Sequence, residues 1–108
     1  MSEEERRLDL DQLDEDDPFE IDRQRPHLAK HDGFDEHTVY DMWESAPLFY
    51  PAVPPADWLM VAELGGRVVV VPLAKPNEDD VSKCRPIGCY QASQQLVDRY
   101  RNDQRPVI

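Results

Sequence analysis

The chain has no uninterrupted apolar run near the roughly 18 residues that a helical membrane span needs, so a helical transmembrane protein is excluded. Its first residues, Met1-Ser-Glu-Glu-Glu, lack the basic region and apolar stretch of a secretory signal. The expected location is therefore the cytoplasm. Cysteine is scarce, with only Cys84 and Cys89 present, too few for a disulfide-framed scaffold. Five residues apart on an extended segment, the two side chains point to opposite faces about 17 Å apart. A disulfide needs Cα atoms within about 7 Å, so both are read as free thiols. Cations are few as well: 12 Lys and Arg stand against 23 Asp and Glu, a net charge of −11. That shortage disfavours nonspecific RNA or DNA affinity, which comes mostly from phosphate contacts.

What is there fits one compact domain of 108 residues, with ten prolines and correspondingly much loop. The charge is uneven. Residues 1–20 hold ten acids and two arginines, a net −8, and residues 21–108 hold thirteen acids and ten bases, a net −3. Residues 1–18 are read as a flexible acidic leader. Its leucines Leu8, Leu10 and Leu13 lie among acids, which suits either a solvated tail or a short motif folding against a basic groove. Asp9, Asp11, Asp14, Asp16 and Asp17 are its candidate partner contacts, attracted to basic surfaces.

The domain proper is expected over 19–102, with 103–108 as a tail. Phe19-Glu20-Ile21-Asp22 alternates like a short strand. Pro26 to His31 suits a short helix ending near Gly33. Asp35 is a good N-cap for the next helix, in which Val39, Met42, Trp43 and Ala46 form the buried stripe and Pro47 is the stop. Trp58–Leu64, Gly65-Gly66 and Arg67–Leu73 give the strongest hairpin signal. Val81–Tyr90 reads as another strand, interrupted by Pro86 and Gly88. Ser93 caps a last helix with Leu96, Val97 and Tyr100 on one face. The order predicts an α+β domain in two layers: a three- to four-stranded antiparallel sheet packed on one face by two or three helices.

These segments, taken in order, resemble the BrnT-type toxin family. Phe19-Glu-Ile-Asp22, His27-Leu-Ala-Lys30-His31, the helix from Phe34-Asp35-Glu36, the Gly-Gly-Arg hairpin, Arg85-Pro-Ile87 and Ala92-Ser93 before a helix containing Tyr100 carry the likeness over residues 19–101. The resemblance implies a RelE-like fold and a metal-independent ribonuclease of a type II toxin–antitoxin system, held by a cognate antitoxin. It carries over Lys30, His31 and Arg85 as the matching polar positions. The family's second arginine is Tyr90 here, and its last-helix glutamate falls near Leu96, which implies weak or absent cleavage.

Chemically, His31 has the reference pKa for acid–base work, while Lys30 and Arg85 suit a phosphate. Tyr90 and Tyr100 could stack on a base, with Arg99 beside them. The plainer alternative makes His31 a helix C-terminal cation and Lys30 a solvated side chain. His27 and His31 share a helix face and, with His37 or Cys84, could hold zinc. No paired-cysteine motif supports this, and no metal or cofactor is expected. Trp43 and Trp58 read as core, and Glu78-Asp79-Asp80 as a solvated turn. Arg99, Arg101 and Arg105 form a C-terminal basic cluster. The competing function is a non-catalytic binding module, of a kind that a phage or mobile element could encode, that engages a basic host protein through the acidic leader or a sheet edge. A third is a nucleic-acid mimic.

Overall fold

The computed structural model describes residues 7–21 and 36–104. It is a small α+β fold. Helix α1 (Glu36–Glu44) precedes strands β1 (Leu48–Pro51), β2 (Trp58–Leu64), β3 (Arg67–Ala74), β4 (Arg85–Pro86) and β5 (Tyr90–Gln91), and helix α2 (Gln94–Asp103) closes the order. The antiparallel sheet runs β1-β2-β3-β4, with β5 also pairing with β3. The short helix expected at Pro26–His31 and the Asp35 cap lie outside the described residues.

The β2–β3 hairpin forms as its sequence dictates. Leu64 pairs with Arg67 across Gly65-Gly66, and the two glycines hold φ of 56° and 79°, where a Cβ would be strained. The expected long strand at Val81–Tyr90 is instead two short ones. β4 pairs at Leu73↔Pro86 and β5 at Val70↔Tyr90, the interruption falling at Ile87–Cys89. Helix α1 buries Val39 and Met42, but it ends at Glu44. Ala46, expected in the buried stripe, is exposed at φ 51°.

The helices cover both faces of the sheet, not one. Met60, Ala62, Val69, Val71 and Leu73 share a cluster with Val39 and Met42 of α1. Val61, Val68, Val70 and Tyr50 share another with Tyr100, Leu96 and Val97 of α2. The period-2 alternation of β2 and β3 produces this split. With both faces covered, β3 is apolar at consecutive positions. The register slips by one residue between β4 (Leu73↔Pro86) and β5 (Val70↔Tyr90), so Cys84 and Cys89 belong to one cluster, on the α1 face, and not to opposite faces. Both are buried free thiols, each pushed up to about 12 by burial.

The N-terminal segment also differs from expectation. Residues 7–20 lie along the α1 face as a strap. Leu13 and Phe19 are buried, and Leu8, Leu10 and Ile21 pack beside them. Leu10–Gln12 forms one 3-10 turn, with the Asp9 side chain accepting from Asp11 N–H. Phe19 stands edge-on to Tyr40 at 5.1 Å and to Trp43 at 5.7 Å. The acids between the apolar residues face solvent, so a composition typical of a solvated tail still buries a stripe. At the other end, α2 extends to Asp103, the first residue of the expected tail.

Candidate functional site

Two tryptophans fix the strap. The Trp58 indole N–H donates to Leu8 O at 2.9 Å, and the Trp43 indole N–H donates to Glu15 O at 2.9 Å. Arg7 lies over the Trp58 ring, 5.6 Å from its centroid. Leu8 N–H donates to Asp57 Oδ2 at 2.8 Å, and the same oxygen pairs with Lys75 at 3.0 Å. Further along, Asp14 N–H donates to Ser82 O at 2.9 Å, Cys84 N–H to Pro18 O at 2.8 Å and Glu20 N–H to Cys84 O at 2.7 Å. Lys83 pairs with Asp17 at 3.0 Å. The Glu20 carboxylate accepts from the amides of Asn77 and Glu78 at 3.0 and 3.2 Å.

These bonds place the strap against the loop that joins β3 to β4. Between the two lies a cleft of about 470 Å³, walled by Arg7–Asp9 and Gln12 on one side and by Lys75–Val81 and Lys83 on the other. That volume is within the range of ligand sites. The strap brings Asp9, Asp11, Asp14, Glu15, Asp16, Asp17 and Glu20, and the loop brings Glu78, Asp79 and Asp80. Against these ten carboxylates stand three cations, Arg7, Lys75 and Lys83, each already engaged as described. Among the described residues, the carboxylates of Asp11, Glu15, Asp16 and Asp79 have no hydrogen-bond or ion-pair partner. Asp80 accepts from Ser82 N–H at 2.9 Å and Ser82 O–H at 2.6 Å. The Ser82 side-chain and backbone donors hold its carboxyl below the usual range. Glu78-Asp79-Asp80 is thus a tied turn, and no group of metal-ligating side chains is present among the described residues.

Lys30 and His31 lie outside the described residues, as does His27. Arg85 is half-buried on β4, and its Nε donates to Lys75 O at 3.3 Å. Tyr90 is 45% exposed on β5, its hydroxyl pushed up by burial. By register Arg85 sits opposite Ala74 and Tyr90 opposite Val70. These positions share one sheet face, about 13 Å apart along β3. Tyr100 is elsewhere in function: it is 1% exposed, and its hydroxyl accepts from Glu63 N–H at 3.2 Å and from Gln104 Nε2 at 2.7 Å. Its ring packs between α2 and the sheet and presents no face to solvent. Arg99 lies 4.4 Å over the Tyr50 ring and pairs with Asp103 at 3.9 Å. Arg101 pairs with Glu63 at 3.2 Å. The C-terminal arginines are therefore engaged with their own fold, and Arg105 lies outside the described residues. Of the zinc candidates, His37 is exposed on α1 and Cys84 is buried behind Pro18 and Phe19.

The five aspartates Asp9, Asp11, Asp14, Asp16 and Asp17 are brought together, but as part of a docked strap. The loop acids that join them were read in the sequence only as a solvated turn. Among the described residues no helix is long and apolar enough to cross a membrane. No protein-family model, curated protein or solved structure matches the chain.

Proposed function

We propose that this chain is a non-catalytic binding module whose acidic face engages a basic partner, such as a host protein with a lysine- or arginine-rich segment. One observation carries the reading. Acids from the strap and from the β3–β4 loop meet on one side of the fold, and the three cations among them are spent internally. The remaining field is negative and concentrated, which favours rapid capture of a cationic surface. The test is fluorescence anisotropy of a labelled nonalysine peptide on the full chain. Glu78→Gln with Asp79→Asn should weaken binding by about three- to tenfold, each exposed pair contributing about 0.2–1 kcal/mol. Asp98→Asn on α2 should leave it nearly unchanged. Equal loss in both variants would reduce the binding to general acidity and remove the site.

The resemblance to BrnT-type toxins supports a second reading, a weak metal-independent ribonuclease held by a cognate antitoxin. What favours it is that Arg85 and Tyr90 share a sheet face. RNA cleavage by the purified chain under metal-free conditions, abolished by His31→Ala, would support it. A chain inert towards RNA, with cleavage no different from that of His31→Ala, would leave the binding module alone.

A further inference from the structure

The acidic face exists only while the strap is docked, because docking alone brings its carboxylates beside those of the loop. We infer that residues 7–20 act as a charge-gated strap: docking works against carboxylate repulsion, and a cationic partner holds the strap shut. This rests on the acidic-face reading above. The strap meets the sheet and its loop through three backbone hydrogen bonds, at Asp14, Cys84 and Glu20. Its other ties run through side chains: the two indoles, Asp57 on Leu8 N–H, the Glu20 carboxylate on two loop amides, Tyr40 on Asp17 and the Lys83–Asp17 pair. The β2–β3 ladder, by contrast, pairs seven successive positions from Trp58↔Leu73 to Leu64↔Arg67. A segment held by scattered bonds, many of them from side chains, and not by a continuous ladder opens at lower free energy than the sheet beneath it.

Two opposed forces set how often it opens. Burial of Leu13 and Phe19 favours docking. The strap, with seven carboxylates and Arg7 (net −6), approaching the loop, with three carboxylates, Lys75 and Lys83 (net −1), opposes it in spite of the Lys83–Asp17 pair. The repulsion is between exposed charges and is screened by salt. A polycation that binds the assembled face, and not the separated halves, must shift the balance towards docking by the same linkage.

Cys84 reports the opening. Its Sγ–H donates to Pro18 O at 3.4 Å, and its backbone is bonded to the strap on both sides. Cys89 lies in the same cluster as Leu13 and Phe19 but makes no hydrogen bond to the strap, so it serves as the less strap-dependent comparison. The experiment measures alkylation of each cysteine in the full chain by iodoacetamide, a neutral reagent, with site-resolved mass spectrometry. Cys84 should react faster than Cys89. Raising salt from about 10 mM to about 300 mM should slow Cys84 several-fold. Nonalysine at ten times its Kd should slow it about tenfold. Cys89 should change less in both cases. A single common rate for the two thiols, or a Cys84 rate indifferent to salt, overturns the strap. Nonalysine that binds by anisotropy without protecting Cys84 overturns the gating and spares the acidic-face reading. Failure of nonalysine to bind overturns that reading together with partner control.

Discussion

Replacing Tyr100 by Phe removes one oxygen from the core and tests what that residue does. β1 stops pairing at Leu48↔Val61, two residues short of Glu63. The Glu63 amide therefore has no β1 carbonyl to donate to, and the Tyr100 hydroxyl takes the carbonyl's place at 3.2 Å. In Tyr100→Phe the ring keeps its seat, so the packing contribution of the aromatic is retained. The partly buried Glu63 N–H loses its acceptor, which costs about 1–3 kcal/mol. Gln104 is exposed and recovers its bond from water at little cost. The expected net loss is about 1.5 kcal/mol, lowering Tm by about 5–10 °C for a domain of this size. Urea denaturation followed by tryptophan fluorescence measures the loss, and amide hydrogen exchange at Glu63 locates it. Unchanged stability with undiminished Glu63 protection would refute the argument.

Phe19→Ala removes two edge-on ring contacts and should raise Cys84 alkylation at least about tenfold. Global stability should fall by less than the roughly 3–5 kcal/mol of a rigid core site, because the loss cannot exceed the strap's own docking free energy; a full-sized loss with Cys89 accelerated in parallel contradicts a separately opening strap. Ser93 Oγ accepts from Leu96 N–H at 3.3 Å, so Ser93→Ala should cost about 1 kcal/mol by urea titration and Ser93→Asn very little; equal losses would dismiss the cap. Burial raises both thiols from 9.0 to about 12, and burial followed by the Asp103 hydrogen bond raises Tyr50 from 10.0 to about 12. The native state thus keeps protons that the unfolded chain releases. This contribution is whole below about pH 9 and is lost as pH rises towards 12; urea midpoints that stay level between about pH 8 and about pH 11 would contradict it.

The hairpin was legible because three local signals agreed: alternation, Gly-Gly, and apolar runs of matching length on either side. Ser93 and its helix were legible for the same reason, a cap followed by a stripe. The two-sided sheet was missed although its signal was present. Val68–Val71 is apolar at every position, which a strand covered on one face does not need, and Tyr50, Leu48 and Tyr100 required a face of their own. The strap was hidden by its acids: Leu8, Leu10, Leu13 and Phe19 follow neither a helical nor a strand period, since they contact the core from an irregular segment. The acidic face could not be read at all. Asp17 and Lys83 are 66 positions apart, and only the fold shows that the leader and the β3–β4 turn are neighbours. Tyr90 and Tyr100 look alike in sequence; the packing of α2 buries one and leaves the other at the surface.

The most direct measurement of the central claim is a titration of the isotope-labelled full chain with nonalysine, followed amide by amide by NMR. The account predicts shifts confined to the strap around Asp9, Asp11 and Asp16 and to the loop from Asn77 to Val81, saturating together and weakening steeply with salt. Shifts centred on α2 or on Arg85 and Tyr90, or spread evenly over the surface, would contradict it.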